Sequence, residues 1–179
     1  MRRPTTIAIP ERIGDAQEIN YGKPPEADFG PLARDKVPVR SMHERDLRAL
    51  VVIDRRITGR DRTRYFERKL AEALHESDVR VSLVAEQDGM PVGFIMARVD
   101  LGGFGRLEPV AVLDTIGVDP DYRSYGIGRA LISQLLVNLA TLRVETVRTE
   151  LDWRQRDLLA FLDRCGFRPS QQLCFDRAI

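Results

Sequence analysis

The sequence predicts an α+β or α/β fold built on a mostly antiparallel sheet, and three observations lead to this fold class. Apolar runs and breaks alternate in the order strand, two helices, three strands, helix, strand, helix, strand. The two β-rich runs on either side of Gln87-Asp88-Gly89 indicate a hairpin, because Asp-Gly is a strong turn signal. The segment from Ile127 to Leu142 is apolar on most of its circumference. A helix of that kind packs against a sheet instead of lying on the surface.

Regular structure begins near Val37, and each element follows from its own pattern. The first helix has apolar residues at helical spacing and ends at Thr58-Gly59, and Asp61 can cap the second helix. The predicted elements are strand 37–42, helix 43–57, the helix after Asp61, hairpin 79–101, loop 101–106, strand 108–118, helix 127–142, strand 144–151, helix 156–165 and strand 167–179.

The first 36 residues differ from the rest in composition. They are rich in proline, glycine and charge and show no sustained periodicity. We therefore expect residues 1–36 to form a partly ordered N-terminal arm or tail, and residues 37–179 to form one domain.

Composition excludes several classes of function. The 28 basic and 27 acidic side chains give a net charge of +1, which offers no general attraction for nucleic acid or an anionic membrane. The two cysteines, Cys165 and Cys174, have no metal-ligand spacing, so we expect reduced thiols and no metal site. The basic start of the chain is not followed by an apolar run, and no segment is long enough to span a bilayer. These observations favour a cytoplasmic protein.

The stretch from 118 to 132, VDPDYRSYGIGRALI, is typical of an anion-binding turn between a strand and a helix. Gly126 and Gly128 lack a Cβ, so they allow positive φ and let an anion reach the backbone. The free N–H groups of the helix N-terminus point outward, and Arg123 and Arg129 add positive charge. The pattern fits a phosphate or pyrophosphate, although two glycines can also simply make a tight turn.

The two common nucleotide loops do not fit this stretch. A P-loop needs a lysine after its second glycine, and the dinucleotide motif needs a third glycine where Leu131 stands. The pattern V-x-P-x-x-R-x-x-G-x-G-x-x-L, from Val118 to Leu131, instead resembles the acetyl-CoA motif of the GNAT N-acetyltransferases. The order of elements from Val37 onward and the segment FLDRCGFRPS at 161–170 are similar to that family as well.

The resemblance implies a mixed, mostly antiparallel sheet with splayed parallel strands and helices on both faces. It also implies acetyl-CoA as cosubstrate, with the pantetheine arm pairing along one strand and the thioester at mid-sheet beside a strand amide that can bind the oxyanion. Gln155 falls where many members carry an asparagine that contacts the cofactor. The implied cofactor contacts are Ile116, Gly117 and Val118 for the pantetheine, and Arg123, Ser124, Tyr125, Gly126, Ile127, Gly128 and Arg129 for the pyrophosphate.

Acetyl transfer to an amine needs a group that accepts a proton, because most amines are protonated at neutral pH. Asp114 is the first candidate, since it interrupts an apolar strand and strand alternation would place it on one face with Ile116 and Val118. The alternative is that Asp114 caps a loop or pairs with an arginine. Glu150, near the end of the next strand, is the second candidate.

One position departs from the family. Many members carry a tyrosine four residues before the glycine of the closing helix, where it protonates the leaving thiolate. This chain has Leu162 there, so another group, water or an unassisted thiolate would have to take over that step.

The sequence thus predicts an N-acetyltransferase that acts on a primary amine of a small molecule or a protein. The transfer would be by direct attack in a ternary complex, since no Cys-His pair suggests a covalent route. The alternative is a non-catalytic acyl-CoA-binding regulatory module. The arginine-rich stretch 54–69 fits a solvated face, or a surface for an acidic acceptor or a protein segment. An apolar edge or the arm could support a homodimer.

Overall fold

The computed structural model describes residues 37–76, 79, 81–100, 109–171 and 177. The predicted N-terminal arm, the loop at 101–106 and most of the predicted last strand lie outside the described residues. Within the described part, residues 167–171 contain no strand. No described helix is long and apolar enough to cross a bilayer.

A five-stranded mixed sheet forms the centre of the described residues. The strands lie side by side in chain order, and every neighbouring pair is antiparallel except β4 and β5, which are parallel. The strands are β1 Val39–Ser41, β2 Leu83–Gln87, β3 Met90–Asp100, β4 Val110–Val118 and β5 Thr146–Arg148. The helices are α1 Leu47–Thr58, α2 Thr63–Ala71, α3 Ile127–Thr141 and α4 Arg156–Arg164.

The boundaries of these elements follow from local chemistry. Gly59, in the left-handed region at φ 70°, ends α1 as predicted and donates its N–H to Arg55 O at 2.8 Å. Asp61 accepts a hydrogen bond from the N–H of Thr63, the first residue of α2, at 3.0 Å. The hairpin turn has positive φ at both Asp88 and Gly89, the geometry that Asp-Gly favours.

The sheet is covered on both faces, so the predicted arrangement of helices is confirmed. One core cluster joins the sheet to α3 and α4, and its helical members include Ile127, Leu131, Leu135 and Leu162. The other joins the opposite face to α1 and α2 through Leu50, Ile53, Phe66 and Leu70. The apolar helix at 127–142 is thus buried against the sheet, as its composition predicts.

The parallel pair β4–β5 is short and opens early. Pairing covers only Val110–Val112 against Thr146–Arg148, and then Thr149 Oγ1 donates to Leu113 O at 3.0 Å. Along the rest of β4, no strand among the described residues pairs on the side away from β3. The strand predicted at 144–151 is therefore shorter than expected, and its early end leaves one edge of β4 open.

Candidate active site

The turn between β4 and α3 has the backbone geometry of an anion site. Gly126 is in the left-handed region at φ 78° and directly precedes α3, and its carbonyl accepts the N–H of Ala130 at 2.9 Å. The N–H groups of the first helical turn, Ile127 to Arg129, have no carbonyl one turn earlier to bind. Ser124 also has positive φ, at 70°, which a non-glycine residue adopts only when its surroundings hold it there.

Gly128 has a packing role that its sequence pattern does not show. Its φ is not positive, and a Cβ at this position would lie 3.0 Å from Phe161 Cζ and 3.2 Å from Phe161 Cε2. The absence of a side chain therefore lets α4 pack against the first turn of α3. Gly126 uses the positive φ that glycine allows, whereas Gly128 does not.

The side chains predicted to surround the anion lie at the surface. Arg123 and Arg129 are exposed, and Tyr125 is 71% exposed with its ring 6.2 Å from the ring of Tyr122. Gln155 is also exposed and stands at the start of α4, where its N–H binds Asp152 O at 2.9 Å. These side chains are free to turn toward a bound ligand without breaking a core contact.

Backbone groups of β4 alternate between its two edges, and this decides which residues can bind an extended ligand. The N–H of Asp119 donates to Val92 O on the β3 side at 2.8 Å. Because N–H and C=O directions alternate along an antiparallel strand, the backbone groups of Ile116 and Val118 point to the open edge, and those of Gly117 point to β3. Of the three predicted pantetheine contacts, Ile116 and Val118 thus offer backbone donors and acceptors.

Gly117 is constrained on the opposite face of the sheet. A Cβ there would lie 2.7 Å from Phe94 Cε1, a ring that is only 1% exposed. Ile57 of α1 would be 3.3 Å away. Glycine at 117 therefore lets α1 and Phe94 pack directly on β4.

A bulge changes the direction of Asp114. Met96 pairs with Thr115 and Ala97 pairs with Leu113, so Asp114 is an extra residue on β4. Ile116 and Val118 pack with the α3 core, whereas Asp114 reaches Lys69 of α2 and Arg98 of β3. The expectation that Asp114 shares a face with Ile116 and Val118 is wrong, because the bulge reverses the alternation between them.

Asp114 lines a cavity of about 260 Å³ on the α2 side of the sheet. It is ion-paired with Arg98, and its Oδ2 lies 3.7 Å from Lys69 Nζ. Lys69 Nζ also donates to Glu72 Oε2 at 2.8 Å, and this bond, with a smaller contribution from Asp114, raises the pKa of the ammonium. The lining residues are Lys69, Glu72, Ala73, Ser82, Met96, Ala97, Arg98, Val99 and Asp114.

The remaining candidates for proton transfer lie elsewhere. Glu150 is exposed and follows the end of β5 at Arg148. Leu162, at the position where the family often has tyrosine, is 4% exposed and belongs to the α3–α4 core. Cys165 is half-buried, and burial raises the pKa of its thiol.

Several arginines of the basic stretch have specific partners, which spacing along the sequence could not show. Arg62 pairs with Asp54, a carboxylate that is 3% exposed, and stacks near the Tyr65 and Phe66 rings. Arg56 binds Asp119 at 2.5 Å and Asp121 at 2.7 Å, both at the end of β4. These arginines therefore hold α1 and α2 to their surroundings, and only part of the stretch is a solvated face.

Solved structures of acetyltransferases share this fold. The aminoglycoside N-acetyltransferase AAC(6')-Iy, crystallised with CoA, aligns with a TM-score of 0.68 at 19% identity, covering 79% of this chain and 94% of that chain. The ribosomal-protein-S18-alanine N-acetyltransferase from Escherichia coli aligns with a TM-score of 0.62 at 25% identity, covering 75% and 79%. The ribosomal-protein-alanine N-acetyltransferase from Brucella melitensis biovar Abortus 2308 gives a TM-score of 0.62 at 20% identity, covering 80% and 99%.

The family assignment rests on a match of the sequence to a family model. No curated protein sequence gives a significant match. The model of the acetyltransferase (GNAT) family, however, matches residues 46–167, which include α1 to α4, the bulged strand β4 and the turn between β4 and α3. The chain is therefore a member of the GNAT family of acetyltransferases.

Proposed function

We propose that this enzyme transfers the acetyl group of acetyl-CoA to a primary amine of a small molecule or a protein, by direct attack in a ternary complex. The observation that carries the proposal is the open edge of β4, which runs from the bulge at Asp114 to the free N–H groups at the start of α3. An extended chain that ends in a diphosphate matches this edge in both shape and hydrogen-bonding groups.

The residues present fit the cosubstrate. The first-turn N–H groups of α3 and the left-handed turn at Ser124 and Gly126 can bind the diphosphate, and Arg123 and Arg129 can approach it. The backbone of Ile116 and Val118 can pair with the amide-containing arm. Bound acetyl-CoA would supply an activated acyl group: the C–N bond to the acceptor would form at the carbonyl carbon, and the C–S bond would then break, with CoA leaving as its thiolate.

The cavity at Asp114 is the proposed approach for the acceptor. It lies at the bulge, on the sheet face opposite α3, so an amine there would meet the thioester from the side away from the diphosphate. Asp114 would take the proton that the amine loses, directly or through water, with Glu150 as the alternative acceptor. Lys69 would stay protonated, because Glu72 and Asp114 raise its pKa.

Two kinds of amine are the candidate acceptors. Names of the similar structures refer to an aminoglycoside in one case and to alanine of a ribosomal protein in two. Thiol release from acetyl-CoA should be measured with aminoglycosides, polyamines, amino acids and peptides with free N-termini. We expect turnover with one class and binding of CoA by calorimetry. Binding with no release for any amine would support a regulatory module, and no binding at all would refute the proposal.

A further inference from the structure

Arg56 connects the acceptor side of the sheet to the turn that begins the anion site. The Arg56 side chain extends from α1 to the end of β4. There its Nη1 donates to both carboxylate oxygens of Asp119, at 2.5 and 2.7 Å. Its Nη2 donates to Asp121 Oδ2 at 2.7 Å. One guanidinium thus binds two carboxylates that stand two residues apart, with the directional fork that only arginine provides.

Asp119 is the fixed point of this arrangement. Asp119 directly follows β4 and is only 9% exposed. Its backbone N–H donates to Val92 O at 2.8 Å. Its Oδ1 also accepts the N–H of Asp121 at 3.0 Å. The short helical turn Pro120–Tyr122 follows, and the left-handed Ser124 comes two residues later. The orientation of this turn therefore sets where the loop at 124–129 begins.

We infer that Arg56 is a positioning residue for the diphosphate-binding loop. This inference rests on the proposed cosubstrate site. The guanidinium fixes the turn through Asp119 and Asp121, and the fixed turn aims the N–H groups of residues 124–129 at one point. A loop that includes a left-handed non-glycine residue keeps that conformation only while its surroundings hold it. Arg56 itself does not need to touch the ligand.

The test compares two positions on the same helix. Arg56→Ala removes the connection, and Arg55→Ala removes an equal charge from an exposed neighbouring position. We expect Arg56→Ala to weaken CoA binding about tenfold by calorimetry, and Arg55→Ala to stay within about twofold. Arg56→Lys keeps the charge but loses the fork, so its affinity should lie between those of the wild type and Arg56→Ala.

A shorter ligand separates loop positioning from general damage. Pantetheine lacks the diphosphate, so its affinity, measured by chemical-shift titration, should be equal for the wild type and Arg56→Ala. Equal losses for CoA and pantetheine would mean a disturbed fold and would overturn the inference. Wild-type affinity for CoA in Arg56→Ala would overturn it as well. A wild-type protein that binds no CoA would instead refute the proposed function.

The direction in which a second substitution changes the affinity for CoA distinguishes a positioning role from an effect of local charge. Asp121 is mostly exposed, and Asp121→Asn removes a negative charge near the diphosphate site while weakening the contact with Arg56. If Arg56 acts by positioning, Asp121→Asn weakens CoA binding about threefold. Tighter binding in this variant would mean that local charge dominates, and the positioning role would be rejected.

Discussion

The two proposed sites at β4 are made from different parts of the chain. At the open edge of β4, next to α3, the available groups are main-chain N–H and C=O groups of Ile116, Val118 and the first turn of α3. On the α2 side, they are ionised side chains in a cavity, with Asp114 bound by Arg98 and Lys69. The first site depends on backbone shape, and the second depends on which side chains the register brings together.

This difference also appears in what shifts the pKa values on each side. On the α2 side, a hydrogen bond to Glu72 raises the pKa of Lys69. On the α3 side, burial raises the pKa of the Cys165 thiol. Because the α2 side offers charged side chains and the open edge of β4 offers main-chain groups, substitutions near Asp114 should change catalysis through charge, and those near Gly126 should change ligand binding through backbone geometry.

The largest expected effect is on the α2 side. Asp114→Asn should lower kcat about 100-fold, because it removes the proposed proton acceptor, and should change the Kd for CoA by less than about twofold. It should also lower the free energy of unfolding by about 1–2 kcal/mol, since Arg98 and Lys69 lose a partner that is largely buried. Steady-state kinetics, calorimetry and urea unfolding measure the three quantities.

Glu150→Gln is the matched control for that prediction. It removes one carboxylate from an exposed position after β5. We expect kcat within about twofold of the wild type. A large loss in Glu150→Gln, with turnover intact in Asp114→Asn, would transfer the proton-accepting role to Glu150.

The second prediction tests the strand that separates the two sides. Gly117→Ala should lower the free energy of unfolding by about 1–3 kcal/mol, because its Cβ would lie 2.7 Å from the buried ring of Phe94. Phe94→Leu should recover part of this loss when both are combined, and a double-mutant cycle by urea unfolding measures the coupling. A Gly117→Ala variant that is fully stable but binds CoA poorly would show that the glycine serves the ligand.

The third prediction concerns the main-chain site. Gly126→Ala forces a side chain into the left-handed region, which costs about 1 kcal/mol or shifts the turn, so CoA affinity should fall about tenfold. Gly89→Ala is the control, since Gly89 has a similar φ of 75° in the hairpin turn. Both variants should lose similar stability in urea, and only the first should lose affinity by calorimetry. Equal affinities for CoA in Gly126→Ala and Gly89→Ala would contradict the proposed binding site.

The backbone geometry of the turn before α3 was easier to predict from the sequence than the surroundings of Asp114, and the physical reason is locality. A strand, a left-handed Gly126 and a helix N-terminus occur within a few consecutive residues, so their geometry follows from the local pattern. The hairpin turn and the buried face of α3 were predictable for the same reason. Family membership followed from that local pattern too.

The direction of Asp114 could not be predicted, because it depends on a bulge. One extra residue opposite Met96 reverses the alternation, and nothing in the apolar run at 110–118 marks where it falls. The contact between Arg56 and Asp119 joins residues 63 positions apart, and the contact between Gly128 and Phe161 joins two helices. Each depends on tertiary packing, which spacing along the chain does not reveal.

The smallest expected effect tests how well the fold shields the Cys165 thiol from solvent. Burial raises the pKa of Cys165, against a smaller opposing influence of Arg129 and Arg164, so the folded thiol should alkylate more slowly than an unfolded one. Above about pH 8.5, the unfolded chain loses this proton first, so stability should fall as pH rises through that range. Cys174→Ser removes the other thiol, and iodoacetamide rates with and without urea measure Cys165 alone. Equal rates in both states would mean that the fold does not shield Cys165 from solvent, and the contrast between burial at Cys165 and charge at Lys69 would not hold.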